Sequence, residues 1–239
     1  CVSSPPAGGA PSDVLQRAGS VNVEMSNNLA DFTASGTLFT YQREAQLAAV
    51  EPESGPAAGG SLVTVRGVDF VAGSTSCRFG SRVVEATYLS AGIAQCVSPP
   101  LDTTQSPRAF VSISTNGQDY THYRLFFTYH AAVQVHALQP AQGPQHGHTL
   151  VSVLGEGFVQ SASVRCMFDL IAVEAVYVSS TVLNCSSPAL RAGAVSLEVS
   201  MNAVDFSRSN VAFSYMTNVR ILLVSPTTGP AEGMSIVSV

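Results

Sequence analysis

The chain has 239 residues, 46% hydrophobic and only 11% charged, with a formal net charge of −5 at pH 7. That charged fraction is less than half the ~25% of an ordinary soluble domain. Even so, the apolar runs are as short as Ile221-Leu222-Leu223-Val224, whereas a spanning helix needs ~20 apolar residues, which excludes direct membrane insertion by a helix. All 11 basic residues are arginines and they form no cluster, which argues against binding to nucleic-acid phosphates or an anionic bilayer surface.

In chain order, the first strand signal is Val23 and Met25 alternating with polar neighbours. Residues 54–60 carry Gly-Pro and Gly-Gly, which predict a turn. Ser61-Leu62-Val63-Thr64-Val65 follows as a strand. Val111 and Ile113 alternate with Ser112 and Ser114, Asn116-Gly117 supplies a hairpin signal, and Arg124 to Tyr129 reads as the returning strand. The same order returns with Thr149-Leu150-Val151-Ser152-Val153, Leu197 and Val199, and begins again at Ser235-Ile236-Val237-Ser238-Val239. No window has a helical period. Period-2 alternation with turn signals every 8–12 residues predicts β-sandwiches.

The repetition is regular. Gly55-Pro56, Gly143-Pro144 and Gly229-Pro230 recur 88 and then 86 residues apart, as do Tyr41, Tyr129 and Tyr215, and Asp31, Asp119 and Asp205. The expected organisation is 1–45 as the C-terminal part of one repeat, 46–131 and 132–217 as complete repeats, and 218–239 as the N-terminal part of a further one. The chain starts at Cys1 rather than Met and reads as a window on a longer array. Only about three residues separate Tyr129 from the next strand, near Val133, too few for a flexible linker. The repeats are therefore expected end to end. Val63, Val65, Val111, Ile113, Phe127 and Tyr129 should face one core, and Val151, Val153, Leu197, Val199, Phe213 and Tyr215 another. Residues 219–239 are expected to be extended and packed against something beyond the two complete repeats.

Glu51-Pro52-x-x-Gly55-Pro56-x-x-Gly59-Gly60-x-x-Val63-x-Val65-x-Gly67-x-x-Phe70 resembles the opening signature of IPT/TIG domains. Cys77-Arg78-Phe79-Gly80, Cys96-Val97-Ser98-Pro99-Pro100 and Asn116-Gly117-Gln118-Asp119-Tyr120 continue the likeness, and the following repeat departs from it at Gln145-His146-Gly147-His148 and Cys166-Met167-Phe168-Asp169. The resemblance covers essentially the whole chain. It implies an all-β fold of tandem early-set immunoglobulin-like sandwiches without the core Trp of antibody domains, and no catalytic residues, no enzyme activity and no cofactor.

Cys77 and Cys96 are 19 residues apart, as are Cys166 and Cys185. Equal spacing in two repeats favours one disulfide in each, with Cys1 paired upstream, and hence an oxidising compartment. Free buried thiols are the competing reading. Zinc would want ligands clustered at short spacing, and none are. His146 and His148 flank Gly147 with His136 ten residues earlier, which reads as solvated loop rather than metal site, and no Ser-His-Asp or Cys-His grouping offers a nucleophile. Asp31, Asp119 and Asp205 could be calcium ligands or could accept backbone N–H bonds in the turn. One carboxylate per repeat is too few for a cage of six to eight oxygens, so the turn role is expected. Asn184-Cys185-Ser186 fits the N-glycosylation pattern with an awkward central Cys, and 2–11 and 98–107 could carry O-linked sugars or stay bare.

The expectation is a non-catalytic extracellular or cell-surface structural and adhesive protein forming a stalk, coat or filament. Its partners would be protein, neighbouring copies or other surface proteins, with possible glycans and no nucleic acid. The alternatives are a ligand-binding ectodomain of a plexin-like receptor, which a signalling domain elsewhere would favour, and an accessory module of a carbohydrate-active enzyme. Rel-type DNA binding fits poorly, since 46–131 holds five Arg against six acids and 132–217 three against five.

Overall fold

A computed structural model describes residues 19–73, 75–102, 104, 106–122, 125–217 and 222–238. It is all strand, without a helix among the described residues. Two strands, β1 (Gly19–Asn22) and β2 (Leu38–Tyr41), form an antiparallel pair with Gly19 opposite Tyr41. The first sandwich comprises β3 (Gln46–Glu51), β4 (Ser54–Pro56), β5 (Leu62–Val68), β6 (Ser76–Phe79), β7 (Arg82–Ser90), β8 (Ile93–Val97), β9 (Arg108–Ser114) and β10 (Leu125–His130). The second repeats it as β11 (Gln134–Gln139), β12 (Gln142–Pro144), β13 (Leu150–Glu156), β14 (Arg165–Phe168), β15 (Ile171–Ser179), β16 (Val182–Ser186), β17 (Gly193–Ser200) and β18 (Val211–Met216). By packing, the chain divides into a unit of residues up to 53 with 62–99 and 108–127, and a unit of 54–61, 100–107 and 128 onward.

Each sandwich has the strand order β3-β5-β8-β7-β6-β9-β10-β4 or its equivalent β11-β13-β16-β15-β14-β17-β18-β12. The long strand β7 serves both faces: 82–85 pair with β6 and 86–90 with β8. Alternation decides which side chains enter the core. Val63, Val65, Val111, Ile113, Phe127 and Tyr129 are all buried, and so are Val151, Val153, Leu197, Val199, Phe213 and Tyr215. Phe168 meets Phe213 edge to face with ring centroids 5.4 Å apart, as Phe79 meets Phe127 at 5.5 Å. That geometry sets the positive ring edge on the negative face. A bulge after Val135 lies where β11 crosses Gly155. A Cβ at Gly155 would collide with the Gln134 carbonyl and with the Phe158 ring at 2.7 Å, so only glycine lets the aromatic close that end of the core.

Residues 54–60 are more than the turn expected. Ser54–Pro56 is a short strand adding in parallel to β10, with Ser54 opposite Thr128. β12 adds to β18 in the same way. Three residues fall below the length at which alternation is readable, so the composition shows only the turn that follows. There Gly59 N–H donates to the Pro56 carbonyl, and Gly59 and Gly60 have φ of 75° and 91°.

The flanking segments carry core-type residues without a complete core. Val23 and Met25, which occupy the positions of buried residues in the full sandwiches, are 49% and 73% exposed. Of the expectation for 219–239, residues 222–238 contain no helix and one antiparallel bridge, Ser225 to Ser238. Leu222, Met234 and Ile236 are exposed on this chain. Residues 218–221 and 239 lie outside the described residues.

Candidate functional site

Cys77 on β6 is bonded to Cys96 on β8, and Cys166 on β14 to Cys185 on β16, each pair with Cα atoms 6.3 Å apart. β6 and β8 are the two neighbours of β7, so the bond ties together the faces that β7 links. Cys1 lies outside the described residues.

The β9–β10 and β17–β18 hairpins carry the most elaborate polar arrangement. Asn116 Oδ1 accepts from the backbone N–H groups of Gln118 and Asp119, and Ser114 Oγ donates to it at 3.1 Å. Asn116 Nδ2 donates to Asp119 Oδ2 at 2.8 Å. The same bonds occur at Asn202 and Asp205, and at Asn28 and Asp31. This corrects the expected role of the aspartates. Asn, rather than Asp, accepts the backbone N–H groups, and the carboxylate holds the Asn amide. A two-residue reach from an Asn Oδ1 closes an Asx turn locally, which the Asp further along the hairpin cannot do. The spacing Ser-x-Asn-x-x-Asp, present at 26–31, 114–119 and 200–205, was the available signal. Asn116→Ala is expected to cost about 1–3 kcal/mol, the penalty for stripping partners from polar groups; a denaturant midpoint unchanged from wild type would contradict the role.

A second polar device was missed in the sequence. Glu198 is buried, and its carboxylate accepts from Ser207 Oγ, Ser209 N and Asn210 N at 2.5, 2.9 and 2.7 Å. Glu24 does the same with Thr33 and the N–H groups of Ser35 and Gly36. The Thr33 hydroxyl bond, the largest influence, holds the Glu24 carboxyl below its usual range. Ser112 stands at this position in the first sandwich and accepts from Arg78 Nε at 3.2 Å. A lone Glu inside an alternating strand looks solvent-facing, and only the loop returning beside it reveals otherwise.

In the first core, burial pushes the Tyr129 phenol up to about 12. An acid whose folded pKa is raised above the unfolded value of ~10 favours folding up to pH 10, and that contribution is lost as pH rises from 10 to 12. Burial raises the Tyr215 phenol as well, so absorbance titration should show two tyrosines ionising after the exposed ones, with stability falling as they do.

Among the described residues no group of three or more His, Cys, Asp or Glu could hold a metal ion. His136, His146 and His148 are exposed. Asn184 sits mid-strand on β16, half-buried, its Oδ1 accepting from Ser152 Oγ at 2.9 Å. No described helix is long and apolar enough to cross a membrane. Two surfaces remain. The outer face of β11-β13-β16-β15 presents Leu150 and Val176, each 64% exposed, with Val178. In the other unit a cleft of about 670 Å³ is lined by residues 39–45 together with Asn116, Asp119, Tyr120 and His122.

The IPT/TIG domain family model matches residues 45–129 and 134–215. The chain belongs to the IPT/TIG domain family, and its fold is the tandem immunoglobulin-like sandwich expected of it. Among solved structures it is similar to the plexin A4 full extracellular region, with 19% identity and a TM-score of 0.50, covering 77% of this chain and 17% of that one. It also matches, at TM-scores of 0.28 and 0.27, SGBP-B of a Bacteroides ovatus mixed-linkage glucan utilization locus, solved in complex with a mixed-linkage heptasaccharide, and invasin, a bacterial integrin-binding protein. Both are 12% identical, covering 72% and 78% of this chain and 45% and 44% of theirs. The chain thus spans less than a fifth of the plexin chain and under half of the others. Likeness at 19% identity shows the fold alone.

Proposed function

We propose that the protein is a non-catalytic extracellular structural and adhesive protein, its repeats at 46–131 and 132–217 serving in a cell-surface stalk, coat or filament. The carrying observation is the outer sheet face of the second sandwich. Leu150, Val176 and Val178 stand exposed there around the Ser152–Asn184 pair. Exposed apolar patches of this kind mark protein contact surfaces. Two pairs of cysteines held as disulfides fit an oxidising compartment, where such bonds persist. The partners are neighbouring copies or other surface proteins, without nucleic acid or cofactor, and Asn184 is the candidate for an attached glycan. The test is bead adhesion. Beads coated with the chain should cluster with one another or bind a panel of cell surfaces, and Val176→Arg with Leu150→Arg should reduce the clustering several-fold while the circular dichroism spectrum stays unchanged. Coated beads that neither cluster nor bind any surface would overturn the reading.

A further inference from the structure

The two sandwiches share one fold but differ on the outer face of the sheet that holds β6, β9 and β10. Arg78 on β6 stands opposite Ser112 on β9, where the second sandwich has Met167 opposite Glu198. Phe110 precedes Ser112 by two residues and shares its face. At a constant offset of 86 residues, Ser196 stands for Phe110, Ala194 for Arg108 and Ala212 for Phe126. The second sandwich thus folds with small residues and a methionine at these places. Packing does not require the arginines and phenylalanines that the first sandwich carries there.

In the first sandwich those residues form one connected cluster. The Arg108 guanidinium lies over the Phe126 ring, 3.9 Å from its centroid, and Phe126 meets Phe110 with centroids 4.6 Å apart and planes tilted by 37°. Arg78 lies 4.2 Å over the Tyr120 ring and donates from Nε to Ser112 Oγ at 3.2 Å. Phe110 is 45% exposed. The whole cluster lies within one packing unit, in its 62–99 and 108–127 segments, inside a complete repeat.

The charge on this face is opposite to that of the chain. Among its described residues, Arg78 and Arg108 are set against Glu85, which pairing places beside Ser76. Asp119, in the adjoining hairpin, holds the Asn116 amide. In the second sandwich Glu198 takes the place of Ser112, and its carboxylate is bound to the loop at 207–210. The first face is therefore a positive island on a chain of net charge −5.

A guanidinium over a ring directs its N–H groups outward in its own plane, toward planar or tetrahedral anions. Because the ring holds it in place, little rotamer freedom is lost on binding. Arg108 and the Ser112 that anchors Arg78 are about 13 Å apart along β9, four residues at ~3.3 Å each, with Phe110 between them. The face thus suits a ligand rich in acceptors, with anionic groups on either side of an apolar surface. A sugar polymer bearing uronates or sulfates has that chemistry, since the C–H faces of its rings can lie on Phe110 while its anions meet the two arginines. An acidic peptide fits less well. It brings backbone N–H donors, and the carbonyls of β6 and β9 are spent on their ladders within the sheet.

We propose that the face formed by Arg78, Phe110, Phe126 and Arg108 binds an anionic polysaccharide. The inference goes beyond the adhesive reading, whose carrying surface is on the other sandwich.

The test uses the full chain and heparin, which bears both uronates and sulfates, with dextran as the neutral counterpart and polyglutamate as the peptide one. Heparin should bind, and its affinity should fall as salt rises. Arg78→Gln with Arg108→Gln should weaken that binding at least tenfold. Arg165→Gln with Arg191→Gln, the same change of charge in the second sandwich, should stay within about twofold of wild type. Arg108→Gln alone, at an exposed position, should give a several-fold loss while leaving the Arg78–Ser112 bond intact. Phe110→Ser, the residue found at 196, should weaken heparin several-fold without changing the salt dependence. Heparin bound no more tightly than dextran overturns the proposal. Equal loss in the two double variants does so too, because it marks general charge attraction. Polyglutamate bound as tightly as heparin, or full affinity in Phe110→Ser, overturns it in favour of a surface for acidic protein. None of these outcomes touches the adhesive reading, which stands or falls on bead clustering and binding.

Discussion

Val153→Asp is expected to unfold the second sandwich. Val153 on β13 is fully buried, opposite Leu138 on β11 and Leu183 on β16. The change removes a buried aliphatic side chain, worth about 1.5–3 kcal/mol. It also places a carboxylate among Phe168, Leu197 and Phe213 in a core cluster of apolar side chains. An unpaired buried charge costs several kcal/mol more even after relaxation. The sum is of the order of the ~5–15 kcal/mol that holds a whole domain together. Hydrogen exchange read peptide by peptide should therefore show protection lost throughout 134–216 while 46–130 keeps its slow amides. Retained protection in 134–216 would mean that Val153 does not face the core. Loss in both regions would mean that the two cores fold as one cooperative unit.

The residues that make Val153 predictable also show why the fold was legible. Val151 and Val153, Leu197 and Val199 alternate with polar neighbours, and with period 2 the choice of face follows from the sequence alone. Repetition multiplied the signal, since Tyr129 and Tyr215 fix the register of one sandwich against the other. The parallel strands at 54–56 and 142–144 were not legible, because three residues containing Gly-Pro look like a turn and their pairing is with a strand more than 70 residues away. The polar devices failed for a different reason. Asp119 and Asp205 drew attention by recurring, but the atoms that organise the hairpin belong to Asn116 and Asn202, and nothing in composition says which of two neighbouring polar side chains accepts the backbone N–H groups. Glu198 was invisible because its partners, Ser207, Ser209 and Asn210, lie on the far side of the hairpin. Alternation locates what is buried by apolar contact. It says little about what is buried by hydrogen bonding.

Replacing Cys166 and Cys185 together by Ala is expected to lower the stability of the second sandwich by roughly 3 kcal/mol, the chain-entropy value for a closed loop of about this length. The bond closes a sequence separation of 19 residues, from β14 through β15 to β16. Those residues include the point where β15 passes from pairing with β14 at 171–174 to pairing with β16 at 175–179. At that crossing the ladder to one neighbour ends as the ladder to the other begins, so the covalent link holds the two neighbours in register where hydrogen bonding changes hands. The double variant should fold, because the aromatic cluster of Phe168, Phe213 and Tyr215 is untouched. Its denaturant midpoint should fall without a large change in slope, and wild-type protein treated with reductant, which also opens Cys77–Cys96, should lose stability in both sandwiches. Non-reducing peptide mapping of the natural protein should recover 77 linked to 96 and 166 linked to 185. Full alkylation of all four cysteines without reductant, together with an unchanged midpoint in the double variant, would remove both the brace and the support it lends to an oxidising compartment.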